Sequence, residues 1–575
     1  MIQIYLSQNF ACVFQNEIQI AYWQQNQFIE VNLLCSTTEI HSKNNFFTME
    51  FTMDRMLHLI LTFARFVLHY SLFIWYGGKG KVVPPVKNPL LLKSATKLAR
   101  EIREGKCKSK DVIQAYIDRI LEVEPYINAT AERCFEDALM KAREVDALVA
   151  SGKYTKEQLS IEKPLLGIPV SIKCLLHVKN MPYTCGCLLF ADLRAIEDAP
   201  TVAALKEAGA IVTTTTNVPE LGIDMESGNK FYGTTCNPYD TNRTCGGSSG
   251  GEAALISAGG SLLGLGNDLA GSLRIPAHFT GIFSHKPSKG LVSNRGAFPF
   301  GLLGDPEECC NPELNKYITT GPMCRYAEDL IISMKVLALD NEVRMKFDHP
   351  VDFKRVKIYY LTEIQSPLVA PVEEDIADAL KKAVSYFEKQ YNIKPKEVKM
   401  PYLFDINKCT LSVLQPLFRD IKKSTIGRKE FGLNERMEFM KSLFGKSKIR
   451  CRTFLNFNSG ENSLIYKESQ SSYYQNMIEN WMGEFKALLD EDSVLLMPTL
   501  PFTAPYHLET YPLLLSACYL SLFNILGMPA THCTLGLTKQ GLPCGIQAVG
   551  CQNNDPLTIA CAVELERAFG GWKLC

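Results

Sequence analysis

CGGSSGGEAALISAGGSLLGLGNDLAGSLRIP, residues 245–276, carries two glycine-rich clusters whose serines, Ser248 and Ser272, lie 24 residues apart. Glycine-rich turns leave backbone N–H groups exposed, and a serine hydroxyl beside such groups is placed to act as a nucleophile next to an oxyanion hole. A base is also needed. Lys173 closes the apolar run GIPVSIK upstream, and a lysine desolvated among apolar neighbours such as Ile168, Val170 and Ile172 can lose its proton near neutral pH. The spacing predicts a helix over 251–258 whose N-terminus points at the first cluster and favours an anionic partner there. Read as an isolated motif, Gly246–Gly250 also fits the G-x-S-x-G nucleophile elbow, which makes Ser248 the nucleophile and requires a histidine. His278, His285, His349, His507 and His532 are available, but polar DTNRT rather than an apolar strand precedes the motif. No Gly-Lys-Ser/Thr closes the cluster, which excludes a phosphate-binding loop.

GGSSGG, then GNDLAGSLRIP (266–276), with an upstream lysine ending GIPVSIK, resembles the amidase signature family. The likeness covers residues 88–571. It implies a large mixed, twisted α/β sheet covered by helices on both faces. It also implies Ser272 as nucleophile, Ser248 as proton relay beside a cis peptide bond, and Lys173 as general base. The oxyanion hole falls to the N–H groups of Leu269, Ala270, Gly271 and Ser272. Ser249, Asp268 and Arg274 support the loop, and neither metal nor organic cofactor is needed. Three positions depart from the pattern: Ala270 stands for a glycine, Asn267 for Ser or Thr, and Cys174 for an acidic residue. If position 270 needs positive φ, alanine there is strained and the hole is misplaced.

PLLLKSATKLAREI (89–102), NKFYGTTCNPYD (229–240), GIFSHKPSKGLVSNRGAFP (281–299), TGPMCRYAEDL (320–330) and AFGGW (568–572) resemble the second type of animal fatty-acid amide hydrolase. That branch implies hydrolysis of primary fatty amides and N-acylethanolamines at a membrane, and leaves room for a homodimer. The alternatives are a weakened or silent lipid-amide-binding homologue, suggested by Ala270, and a glutamyl-tRNA amidotransferase-like subunit.

Composition agrees with a large globular enzyme. The 575 residues include 61 Lys+Arg and 61 Asp+Glu, so nothing in the charge points to nucleic acid. Twenty cysteines are scattered without a CxxC pair, which makes buried free thiols in a reducing setting the expectation.

Residues 1–53 read as a polar extension, disordered or preceding an alternative start at Met53. Residues 54–78 hold MLHLILTFARFVLHYSLFIWY, long enough to span a bilayer. His58, Arg65 and His69 share one helical face, so a spanning helix and a helix lying in the interface are both open. Lys79, Lys81 and Lys87 lean towards a cytosolic catalytic domain attached to an intracellular membrane. Residues 79–89 are a linker and 90–571 the catalytic domain, with a helical variable region at 340–490. Ser109 is placed to cap a helix. Asn128-Ala129-Thr130 fits a glycosylation acceptor, and the basic run Lys441–Arg452 reads as a solvated face or a docking site.

Overall fold

A computed structural model describes residues 40–299, 312–458 and 465–575; most of the predicted polar extension lies outside them. The chain divides after Ile60 into two units.

In the second unit the apolar runs become the middle of one sheet. Its strands are β1 (Thr130–Arg133), β2 (Pro169–Lys173), β3 (Ile211–Thr216), β4 (Leu263–Asp268), β5 (Phe283–Lys286), β6 (Thr319–Cys324), β7 (Lys357–Tyr360), β8 (Lys396–Glu397), β9 (Ser493–Pro498), β10 (Ala530–Leu537) and β11 (Pro543–Gly550). The order across the 11-stranded sheet is β1-β3-β2-β4-β6-β5-β10-β11-β9-β7-β8. β2 runs parallel to β3 and β4, β7 runs parallel to β8 and β9, and the strands between are antiparallel, so the sheet is mixed.

Both faces are buried, which is why strands such as SVLLMP read as continuous apolar runs. Val494 and Leu496 of β9 pack with Ile172, Leu265, Ile546 and the helices carrying Leu98 and Val112. Leu495 and Met497, pointing the other way, pack with Val549 and with Ile275 and Phe279 of helix Arg274–Thr280. The variable region is mostly helical, but it also contributes β7 and β8. Helix Glu374–Tyr391 connects these two parallel strands, as a parallel pair requires.

The helix caps fall differently from the one the sequence suggests. Ser94 caps helix Ala95–Arg103. Ser109 is no cap: it lies inside helix Ser109–Ile127 and its hydroxyl donates to the Gly167 carbonyl at 3.1 Å. The Asn128 amide donates to the Tyr232 carbonyl at 2.7 Å, so the sequon's acceptor nitrogen is engaged inside the fold. Every cysteine among the described residues is a free thiol.

The hydrophobic N-terminal segment is part of a longer helix, Ile40–Tyr76, which begins well before residue 54. Within the second unit its polar stripe is met by protein. Arg65 lies 5.6 Å from the Phe502 ring and pairs with Glu373, His69 Nδ1 donates to Glu509 at 2.8 Å, and Tyr76 stacks on Tyr506. Phe63, Phe66, Phe73, Ile74 and Trp75 stay exposed.

Candidate active site

β2 delivers Lys173 from its last position, and the end of β4 delivers Asn267 and Asp268, the two strands being parallel neighbours. Lys173 is completely buried. Its Nζ lies 2.8 Å from Ser248 Oγ, 2.7 Å from Asn267 Oδ1 and 3.3 Å from the Asn267 carbonyl. Desolvation pulls its pKa down to about 7, against the raising field of the Asp268 carboxylate. The Gly247–Ser248 peptide bond is cis.

Ser272 follows β4 through a tight turn organised by Asp268. The Asp268 carboxylate accepts from the N–H groups of Gly271 (2.6 Å) and Leu273 (3.1 Å) and from Arg274 Nε (3.1 Å). Arg274 also donates to Asn524 Oδ1, Gln547 Oε1 and the Leu520 carbonyl. Although burial alone would raise it, the Arg274 charge and these hydrogen bonds hold the Asp268 carboxyl down at about 2. The two residues thus brace the loop from inside and are not surface charges. Ser249 ties the clusters together, its N–H donating to the Ser272 carbonyl at 3.1 Å.

Two expectations change here. Ala270 is not among the non-glycine residues with positive φ, whereas Gly271 has φ +111° and a Cβ there would sit 2.5 Å from Leu520 Cδ1. The position that needs glycine is therefore the second of the pair, which this chain keeps. The Gly271 N–H is already committed to Asp268, which leaves those of Leu269, Ala270 and Ser272 for an oxyanion. Likewise the start of helix Gly250–Ser257 is no vacant anion site: Gly250 N–H donates to Ser227 Oγ and Gly251 N–H to the Asn217 carbonyl.

Ser248 and Ser272 open into one pocket, lined by apolar Leu221, Ile275, Phe298, Ile318, Phe418 and Leu514. Sequence reasoning missed its far wall. Helix Cys451–Asn458, which begins where the basic run ends, supplies Asn456 to that wall, and behind the lining residue Asp224 its Arg452 clamps Asp224 (2.8 Å) and Glu226 (2.7 Å), while His507 Nδ1 donates to Glu226 at 2.6 Å. The His507 imidazole is held up at about 10 by Cys236 and the Glu226 carboxylate despite burial. No spacing signal could have revealed this, since Asp224 and Arg452 are 228 residues apart.

The elbow reading fails on partners. A strand, Asp240–Thr244, does precede the motif, but it belongs to a two-stranded ribbon with Cys236–Asn237. Ser248 bonds a lysine. His278, His285 and His532 are engaged with the Phe502 carbonyl, with Thr531 and Asp555, and with Thr499.

Comparison with known proteins agrees. The amidase family model matches residues 111–559. Fatty-acid amide hydrolase 2-B of Danio rerio is 36% identical over 529 residues, covering 90% of this chain and 98% of that protein. Fatty-acid amide hydrolase 2 of Homo sapiens is 37% identical over 501 residues, covering 86% and 92%. A solved fatty acid amide hydrolase superposes with a TM-score of 0.66 at 21% identity, covering 84% of this chain and 86% of that one. A bacterial aryl acylamidase of the amidase signature family gives 0.67 at 23%, covering 84% and 97%. The chain belongs to the amidase signature family and is an amidase, a hydrolase of carbon–nitrogen amide bonds.

Proposed function

We propose that this amidase hydrolyses fatty-acid amides, primary amides and N-acylethanolamines alike, through Ser272, Ser248 and Lys173. The carrying observation is a buried lysine 2.8 Å from Ser248 Oγ, beneath a pocket that Ser248 shares with Ser272 and whose walls are mostly apolar. A lysine with its pKa near 7 is half neutral at neutral pH and is a competent base. Ser272 Oγ attacks the amide carbonyl, its proton passing to Ser248 as Ser248 passes its own to Lys173. The N–H groups of Leu269, Ala270 and Ser272 receive the oxyanion. The relay then returns the proton to the leaving nitrogen as the C–N bond breaks, since an amine anion is a very poor leaving group. Water, activated by the neutral lysine, releases the fatty acid from the acyl-Ser272 ester.

A chain of apolar wall residues suits an acyl tail better than a polar side-chain amide. Membrane attachment follows the same logic: such substrates partition into lipid, and the exposed Phe63, Phe66, Phe73, Ile74 and Trp75 give the helix an apolar face to bury there. Fluorophosphonate labelling mapped by peptide mass spectrometry, followed by a panel of lipid and short-chain amides, tests this. Labelling is expected at Ser272 and lost in Lys173→Ala, with long-chain amides preferred. Labelling at Ser248, or equal turnover of acetamide and oleamide, refutes it.

A further inference from the structure

Asn267 belongs to no part of the triad, yet it supplies two of the three oxygens around Lys173 Nζ. Resting on the triad reading above, we propose that Asn267 is a positioning residue: its two carbonyl oxygens accept both hydrogens of the neutral lysine, so that the lone pair faces the Ser248 hydroxyl. A neutral amine has two hydrogens and one lone pair. The Asn267 backbone carbonyl and side-chain Oδ1 carry no hydrogen and can only accept. The Ser248 hydroxyl is then the one neighbour able to donate, and the amine is satisfied in a single orientation, the one that takes the Ser248 proton. A Ser or Thr hydroxyl, the usual occupant in the family pattern, both donates and accepts and so does not impose this orientation. Strand pairing of Asn267 with Thr320 holds its backbone in place.

The other groups facing the lysine are accounted for. Asp268 spends its charge on Arg274. Glu252, from helix Gly250–Ser257, accepts from Ser171 Oγ at 2.5 Å and Thr216 Oγ1 at 2.7 Å, and burial lifts its carboxyl to about 8. Burial lifts the Cys174 thiol to about 12, so it stays neutral. Asn267 is the remaining contact, and its acceptors act more strongly on the ammonium than on the amine.

The test uses the full chain and its Asn267→Asp, Asn267→Leu and Asn267→Thr variants. The pH dependence of kcat/KM on a long-chain primary amide and of Ser272 labelling is measured between pH 5 and 9. In Asn267→Asp a carboxylate faces the ammonium and the acid limb moves up by about one to three pH units. In Asn267→Leu an acceptor is lost, the limb moves down, and kcat falls on the order of tenfold to a hundredfold because the lone pair is no longer aimed. Asn267→Thr recovers part of that loss. Limbs that stay put, or that move the same way in Asp and Leu, overturn the proposal, since a merely structural role gives no opposite shifts. A parent that never labels at Ser272 sinks the hydrolase reading, and thermal unfolding then decides alone. The unfolded lysine keeps its proton up to about pH 10.4. Stability therefore rises with pH from the folded pKa upward, and that onset is expected higher in Asp and lower in Leu. Identical onsets overturn the assignment of Asn267.

Discussion

Gly271→Ala and Ala270→Gly, neighbours in the same turn, are predicted to behave as opposites. Gly271 has φ +111°, and an added Cβ meets Leu520 Cδ1 at 2.5 Å, Leu520 Cβ at 2.9 Å and Ile275 Cδ1 at 3.1 Å. The backbone conformation alone costs about 1–3 kcal/mol for a residue with a side chain. The overlap with two well-packed side chains adds about 1–3 kcal/mol. Together these approach half the stability of an ordinary domain. The strain falls beside Ser272, the proposed nucleophile, and on the 2.6 Å bond from Gly271 N–H to Asp268, so Ser272 is displaced as well. Urea unfolding and the rate of fluorophosphonate labelling measure the two consequences. Gly271→Ala is expected to lower the unfolding midpoint and slow labelling about a hundredfold. Ala270→Gly is expected to cost about 0.5–1 kcal/mol through backbone entropy and to leave labelling within about twofold. A tenfold gain in labelling for Ala270→Gly, or parental stability for Gly271→Ala, would refute the reasoning and return the defect to position 270.

Arg452→Ala leaves Asp224 buried without its cation and leaves Glu226 to His507 alone. It should cost about 3–5 kcal/mol in urea unfolding, with a raised KM as the pocket wall loosens. His278 is fully buried, and desolvation lowers its pKa to about 4. Between pH 6.5 and 4 the unfolded chain binds a proton there that the folded chain does not, so stability falls with falling pH by about 3 kcal/mol. His278→Gln should flatten the Tm profile in that window. Passage of the chain through the secretory pathway should leave Asn128 unglycosylated wherever the protein is folded, read as no mobility shift on glycosidase treatment.

The residues proposed to perform the chemistry were legible because they sit in short, glycine-punctuated segments whose meaning is local. Lys173 at a strand end, the two clusters and the helix after the first are set by a few consecutive residues each. The wall of the pocket was not legible. Asp224, Phe418 and Asn456 line it together only because the helices of the variable region fold back over the sheet, and the basic run that ends in Arg452 looks like a solvated face until its partner Asp224 is seen.

The sequence by itself determined the fold class and singled out Lys173, Ser248, Ser272, Asp268 and Arg274 as the candidate site residues. Strand hydropathy, turn glycines and motif spacing act over a handful of residues. Only the tertiary structure decided which glycine of the turn is indispensable, which N–H groups are already taken, and that Asn267 faces the lysine. Those questions concern positive φ, steric overlap and hydrogen-bond partners contributed by distant strands and helices, and a linear pattern carries no record of which atoms will meet.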